Sequence, residues 1–322
     1  MKVLLVTSWD TPCGIAEHSA MLKEAVEAST YAISVVPSVE ALDPLSLRVR
    51  MLLTDTHTTG RDTQIVHLNY QAGLHSRWTP ERICELRAAG YPVVVTYHDT
   101  GVPNSDQCKQ VIAAANAAVV HEPYDDLPPG THYWRMGVPG WEKPQTAYLH
   151  DARPVVGTVG FAFPWKCQSK LIEVAASVGW TSLVIAPRAT REQIEEWLTI
   201  DPEMTVCADF VPRHEVISLL AGCDATAFTY VTHNTGQSGA ICIGLAARKP
   251  VIALKTCRQF RALHGDPLGS SAIRWCETFD DVRRELINTT LQRADPWIVA
   301  LAEQDSWEHL GEKYAALYRS LQ

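Results

Sequence analysis

Four stretches of the chain carry residue types that do chemistry, and each follows a short apolar run. The richest is His233, Asn234, Thr235, Gly236, Gln237, Ser238, Gly239 and Ala240, just ahead of the apolar segment Ile241 to Ala247. If that segment is helical, its first N–H groups lack intrahelical acceptors and lie at the positive end of the helix dipole. Such a start suits a diphosphate without a metal clamp; the plainer alternative is a capping role for Thr235 or Ser238. The second stretch runs from Gly157 through Gly160 to Lys166. Its glycines permit close backbone approach, and a lysine at its end suits the neutralisation of a leaving diphosphate. It lacks the glycine-lysine-hydroxyl ending of a P-loop, which excludes that class of ATPase. Third, His98 and Asp99 end the most hydrophobic run of the first half, Pro92 to Tyr97. There a histidine can orient a substrate hydroxyl, with Asp99 fixing its tautomer or binding a hydroxyl itself; the plainer alternative, equally open from local sequence, is a strand-end histidine bonded to backbone. Fourth, Gly14 sits in the loop from Trp9 to Ser19, where a strand gives way to a helix. His57, His67, His75, His121, His132 and His150 have weaker context and read as structural or exposed.

These loops need elements to position them. Val3 to Thr7, Ala32 to Val36, Gln64 to Leu68, Pro92 to Tyr97 and Ala117 to Val120 read as strands apolar on both faces, the pattern of a parallel sheet covered by helices. Glu17 to Ala28 and Pro80 to Ala89 read as crossover helices, the latter with Thr79 as N-cap, Pro80 in the first turn and Gly90 as stop. Between about Gly140 and Pro154 the pattern lapses into polar residues and prolines. It then restarts with strands at Val155 to Val159, Ser182 to Ala186, Met204 to Ala208, Ala225 to Thr229 and Pro250 to Leu254. Helices are expected at Ser169 to Val178, Thr190 to Leu198, Arg213 to Ala221 and Gly239 to Ala247. Ser306 to Leu321 carries Trp307, Leu310, Tyr314, Leu317 and Leu321 at the spacing of an amphipathic helix. The fold class is therefore α/β, two Rossmann-like domains facing a cleft. The expected divisions are 1–140, a linker at 141–153, a second domain at 154–305, and a closing helix at 306–322. In such sheets ligands bind beyond the carboxyl ends of the strands, where all four chemical stretches fall.

Bulk properties agree. A chain of 322 residues is twice a typical domain, and 46% hydrophobic with 20% charged residues is ordinary for a folded protein. The first apolar run is too short for a signal peptide or membrane span. Nine widely spaced cysteines without a C-x-x-C pair argue against a disulfide framework or structural zinc and suggest a cytoplasmic protein. The net charge of −8 disfavours a broad nucleic-acid surface.

The order of these pieces resembles the GT-B glycosyltransferases of the family-4 kind, nearly end to end. Cys13 to Ser19 looks like that family's N-terminal glycine loop, and Val93 to Asp99 like its strand ending in His-Asp. Phe210 to Asp224 is similar to the segment beside the nucleotide base. Ser238 to Ala253 is similar to the donor helix and its strand, and Ser306 to Tyr318 to the helix that crosses back to the N-terminal domain. The resemblance implies transfer of a sugar from a nucleotide-sugar donor to a hydroxyl acceptor, with retention and without a metal or other cofactor. His98 and Lys166 take the catalytic positions. Gly14, Ile15, Gly160, Phe210, Val211 and the run Asn234, Thr235, Gly236, Gln237, Ser238, Gly239, Ala240 take the donor positions; Glu17, His18 and Asp99 take the acceptor side. Two family glutamates fall at Thr235 and Ile243, and an arginine usual after the glycine loop falls at Phe161 or a neighbour. Ile243 cannot hold a ribose, so neither nucleotide nor sugar carries over.

The rival expectations are a non-catalytic nucleotide-sugar-binding protein, a nucleotide-sugar epimerase, and a transferase acting on a modified nucleic-acid base. The epimerase would need an additional set of carboxylates and histidines. The last would need a basic cleft, and Arg77, Arg82, Arg87 and Lys109 are too dispersed to show one.

Overall fold

The computed structural model describes residues 2–9, 11, 13–29, 31–37, 64–71, 78–98, 106–123, 127–145, 153–231, 236–289 and 295–322. The chain divides into two compact units. The first comprises Met1–Met136, Asn234–Gly236 and Trp307–Gln322; the second comprises Gly137–His233 and Gln237–Ser306.

In the first unit the order is β1 (Lys2–Thr7), α1 (Gly14–Glu27), β2 (Ala32–Pro37), β3 (Gln64–Tyr70), α2 (Pro80–Ala88), β4 (Val93–Tyr97), α3 (Asp106–Ala114), β5 (Ala117–Val120) and β6 (Thr131–Tyr133). The strands form one parallel sheet in the order β2-β1-β3-β4-β5-β6. The fully buried strand β4 is the run of valines that the sequence marks as two-faced. Helix α1 starts at Gly14, three residues before the expected start at Glu17. Its N-cap position holds Cys13, whose side chain makes no cap bond, so no capping residue announces the start. Thr79 holds the expected position ahead of α2 in extended conformation, but its side chain forms no cap hydrogen bond either.

The second unit runs β7 (Val155–Val159), α4 (Gln168–Ser177), β8 (Thr181–Ile185), α5 (Arg191–Ile200), β9 (Thr205–Cys207), α6 (Arg213–Gly222), β10 (Ala225–Phe228), α7 (Gly239–Ala246), β11 (Val251–Leu254), α8 (Arg261–His264), α9 (Pro267–Ala272), β12 (Ile273–Cys276), α10 (Phe279–Asn288) and α11 (Pro296–Gln304). Its parallel sheet has the order β12-β11-β10-β7-β8-β9. The chain builds outward from β7 to β9, then returns to place β10 on the other side of β7. The crevice beyond β7 and β10 is thus the switch point where open α/β sheets bind ligands.

The closing helix α12 (Trp307–Ser320) belongs to the first unit. Trp307, Leu310, Tyr314, Leu317 and Tyr318 join Val3, Leu5, Leu22, Ile33, Ile65 and Val119 in one buried cluster. Gly311 allows α12 to approach α1 closely, since a Cβ there would stand 2.7 Å from the Ala25 Cβ and 2.8 Å from its backbone. Polar groups lock the same seam. His67 on β3 bonds the Tyr318 hydroxyl at 2.6 Å and the Thr96 hydroxyl at 2.8 Å, and Thr96 bonds the Tyr314 hydroxyl at 2.7 Å.

Candidate functional site

Two groups of side chains gather at carboxyl ends of strands, one in each unit.

In the second unit the loop after β7 turns sharply at Gly160, whose φ of +136° only glycine adopts without strain. Backbone bonds fix the loop: Gly160 N–H donates to the Ile185 carbonyl at 2.9 Å, and Val231 N–H to the Trp165 carbonyl at 2.7 Å. The buried Gln168 amide donates to the Gly160 and Phe161 carbonyls at 3.4 and 3.3 Å. Lys166 closes the loop with its side chain folded back over Gly160. A Cβ on residue 160 would lie 2.1 Å from the Lys166 Nζ. The same ammonium stands 4.7 Å from the centre of the Tyr230 ring. Burial pushes the Lys166 pKa down to about 8, an effect the neighbouring Cys257 thiol partly opposes. Among the described residues its charge has lost water without gaining a carboxylate, so a bound anion would compensate it strongly.

Tyr230 ties this lysine to the start of α7. Its hydroxyl donates to the Val159 carbonyl at 3.2 Å and also hydrogen-bonds the Ser238 side chain. Burial holds the phenol well above its ordinary pKa, so it stays neutral. Ser238 occupies the N-cap position of α7 but makes no cap bond; its N–H points instead at the Gln259 carbonyl, at 3.4 Å. The capping alternative for Ser238 is therefore not the one realised. Gly239 and Ala240 open the helix, and Gln237 is buried beside Cys242. Phe210 is 41% exposed, in the loop between β9 and α6 with the half-buried Val211. Phe161, where the family arginine is absent, carries a different arginine over its ring: the Arg188 guanidinium carbon lies 5.4 Å from the ring centre. Ile243 is partly buried on α7. Asn234 and Thr235 lie outside the described residues.

In the first unit His98 follows β4, with its N–H on the Tyr70 carbonyl at 2.7 Å and its Nε2 3.3 Å from the Asn69 Oδ1. His18, on α1, is completely buried and packs edge-on against His98 with ring centres 4.5 Å apart. His121, just past β5, completes the group: its Nε2 lies 3.1 Å from the His18 Nε2, and its Nδ1 donates to the Trp134 carbonyl at 2.8 Å. Asn69 bridges, reaching the Ser19 hydroxyl at 2.7 Å and the His18 Nδ1 at 3.4 Å. Burial lowers the pKa of His18 well below the ordinary histidine value, and that of His121 to about 4. Gly14 is exposed at the start of α1, with open space where a Cβ would go; Ile15 is buried and Glu17 half-buried. Asp99 lies outside the described residues.

The fold thus joins Gly160, Lys166 and Ser238 through Tyr230, and joins His18 to His98 through Asn69 and His121. Sequence reading missed Tyr230, Asn69 and His121. His121 lies just past the carboxyl end of the β5 run and is followed at once by Glu122, the same two signals that singled out His98 and Asp99, so the sequence offered a way to find it.

This architecture, two six-stranded parallel sheets with their helices, is that of the GT-B glycosyltransferases. Anabaena Alr3699/HepE, solved in complex with UDP and glucose, is similar with a TM-score of 0.67 and 15% identity over 99% of this chain and 100% of that one. AviGT4, a glycosyltransferase involved in avilamycin A biosynthesis, has a TM-score of 0.62 and 15% identity over 100% and 98% of the two chains. A UDP-forming α,α-trehalose-phosphate synthase from Burkholderia xenovorans, in complex with glucose-6-phosphate, has a TM-score of 0.64 and 10% identity over 100% and 99%. No protein-family model and no curated protein matches the chain in sequence. At these identities the likeness is one of fold. No helix among the described residues is long and apolar enough to cross a membrane.

Proposed function

We propose that this chain is a glycosyltransferase that moves a sugar from a nucleotide-sugar donor to a hydroxyl acceptor, with retention at the anomeric carbon and without a metal. The observation that carries the reading is the desolvated Lys166 ammonium at the β7/β10 switch point, joined through Tyr230 to Ser238 at the start of α7. When the bond from the anomeric carbon to the donor phosphate breaks, negative charge grows on the leaving diphosphate. A fixed ammonium and the first-turn N–H groups of a helix are pre-oriented for that charge, in a site where water screens little. The acceptor oxygen then bonds the anomeric carbon on the same face and passes its proton to the oxygen of the departing diphosphate. His98 contacts the transferred sugar, and Glu17, His18 and Asp99 belong to the acceptor side; its complete burial confines His18 to holding the His98 ring in place. On the resemblance, the donor positions are Gly14 and Ile15 in the first unit and, elsewhere in the chain, Phe210, Val211 and the run from Asn234 to Ala240. Fold likeness to an enzyme solved with UDP and glucose supports a nucleotide-sugar donor. The widely spaced cysteines support a cytoplasmic setting, and the reaction takes no cofactor beyond its donor.

The test is calorimetric binding of a panel of nucleoside diphosphates and nucleotide sugars, beginning with UDP, in EDTA, on the wild type and Lys166→Ala. Selective binding of one nucleotide that weakens at least tenfold in the variant supports the reading. A folded protein that binds none of the panel refutes it. Once an acceptor is found, the anomeric configuration of the product by NMR checks retention.

A further inference from the structure

In the first unit His98, which the transferase reading places on the sugar, also belongs to a cluster that sugar contact does not explain: one nitrogen from each of His18, His98 and His121 lies within 4.8 Å of the other two. We propose that these three imidazoles form a binding site for a divalent transition-metal ion of the zinc class. Imidazole nitrogens about 2.0–2.1 Å from a tetrahedral zinc are about 3.3 Å apart. The Nε2 atoms of His18 and His121 already stand 3.1 Å apart. His98, partly buried just past the end of β4, would have to turn its ring to close the remaining distance.

The surroundings favour a ligand set over a stack of packed rings. The Nδ1–H of His121 is held by the Trp134 carbonyl, which leaves the Nε2 lone pair directed at His18. That second bond to a backbone carbonyl is the usual support of a metal-bound histidine. In the metal-free protein His18 must supply its Nε2 proton to that lone pair. Metal binding shifts this proton to Nδ1 of the same ring, where the Asn69 side-chain amide can turn its oxygen to accept it. No net proton is released in this tautomer shift. Three neutral imidazoles leave a fourth position open to water or a hydroxyl, and their softness selects zinc, cobalt, nickel or copper over magnesium or calcium. The consequence for catalysis rests on the transferase reading: a metal that engages His98 removes it from the sugar, so the site inhibits transfer.

The experiment is titration of the EDTA-stripped full chain with Co²⁺, followed by visible absorption, and with Zn²⁺ by calorimetry, at pH 7.5. One equivalent with the intense visible bands of four-coordinate cobalt is expected. Affinity should fall at least about tenfold in His98→Gln and in His121→Gln, and stay unchanged in His309→Gln, an exposed histidine of α12. Circular dichroism confirms that each variant is folded. Because His98 is not fully buried, His98→Gln keeps the test decisive even if His121→Gln fails to fold. No cobalt bands and no zinc heat on folded wild type overturn the site, as do bands that persist in His98→Gln or a thiolate-to-cobalt charge-transfer band. Nucleotide binding without metal binding sinks only this inference; metal binding without nucleotide binding sinks only the transferase reading.

Discussion

Gly160→Ala separates a catalytic role of Lys166 from a packing role. The new methyl would sit 2.1 Å from the Lys166 Nζ, 3.3 Å from its Cε and 3.3 Å from the Tyr230 hydroxyl. Ordinary contact needs about 3.5 Å, so the ammonium must move by more than about 1 Å, and a misplacement of that size costs on the order of 10²-fold in rate. The φ of +136° adds backbone strain of about 1–3 kcal/mol whatever the lysine does. Three proteins measured by denaturant unfolding and nucleotide calorimetry divide these effects: Gly160→Ala, Lys166→Ala and the double variant. The single glycine variant should lose both stability and nucleotide affinity. In the double variant the clash is gone, so its stability should be closer to that of Lys166→Ala than additivity requires, with no further loss of affinity. If Gly160→Ala is destabilised as expected yet binds the nucleotide within about threefold of wild type, the Lys166 ammonium is not on the diphosphate and the catalytic assignment falls.

Three further outcomes follow from the same contacts. Because the Lys166 pKa is pushed down to about 8, nucleotide affinity should fall as pH rises through that value in wild type but not in Lys166→Met, read by calorimetry between pH 7 and 9. The linked stability has the opposite sign. The folded lysine gives up its proton before the unfolded one, so wild type gains on Lys166→Met from about pH 8 toward the ordinary lysine value near 10.5, in urea unfolding. His67, lowered by burial to about 3, is neutral when folded; stability is complete above about pH 6.5 and falls below it by up to about 1.4 kcal/mol per pH unit. His67→Phe should show a shallower decline between pH 6.5 and 5. Gly311→Ala forces α12 away from the Ala25 backbone and should cost about 1–3 kcal/mol in thermal or denaturant unfolding, without a direct effect on nucleotide affinity.

Much of this protein is legible in its sequence, because the signals are local. Two-faced apolar runs such as Val93 to Val95 can only be central strands of a covered sheet, and both sheets lie where those runs fall. The stripe from Trp307 to Leu317 announces the closing helix, and the glycine expected to let the loop after β7 turn sharply does so at Gly160. β6 and β12 escape the reading because they are short and mixed in polarity and owe their form to neighbours, whereas α10 carries a local signal, the capping box of Thr278 and Asp281, that the reading overlooked. Tertiary structure alone decides which polar groups meet. Lys166 and Tyr230 are separated by a whole succession of β-strands and helices, and they become neighbours only because β10 returns to pair beside β7. His18, His98 and His121 come from three separate elements, and only parallel pairing at a common strand end brings their nitrogens together. Burial then sets their charge. The residue type fixes what a histidine or lysine can do, whereas its protonation at neutral pH depends on how much water the folded chain has removed.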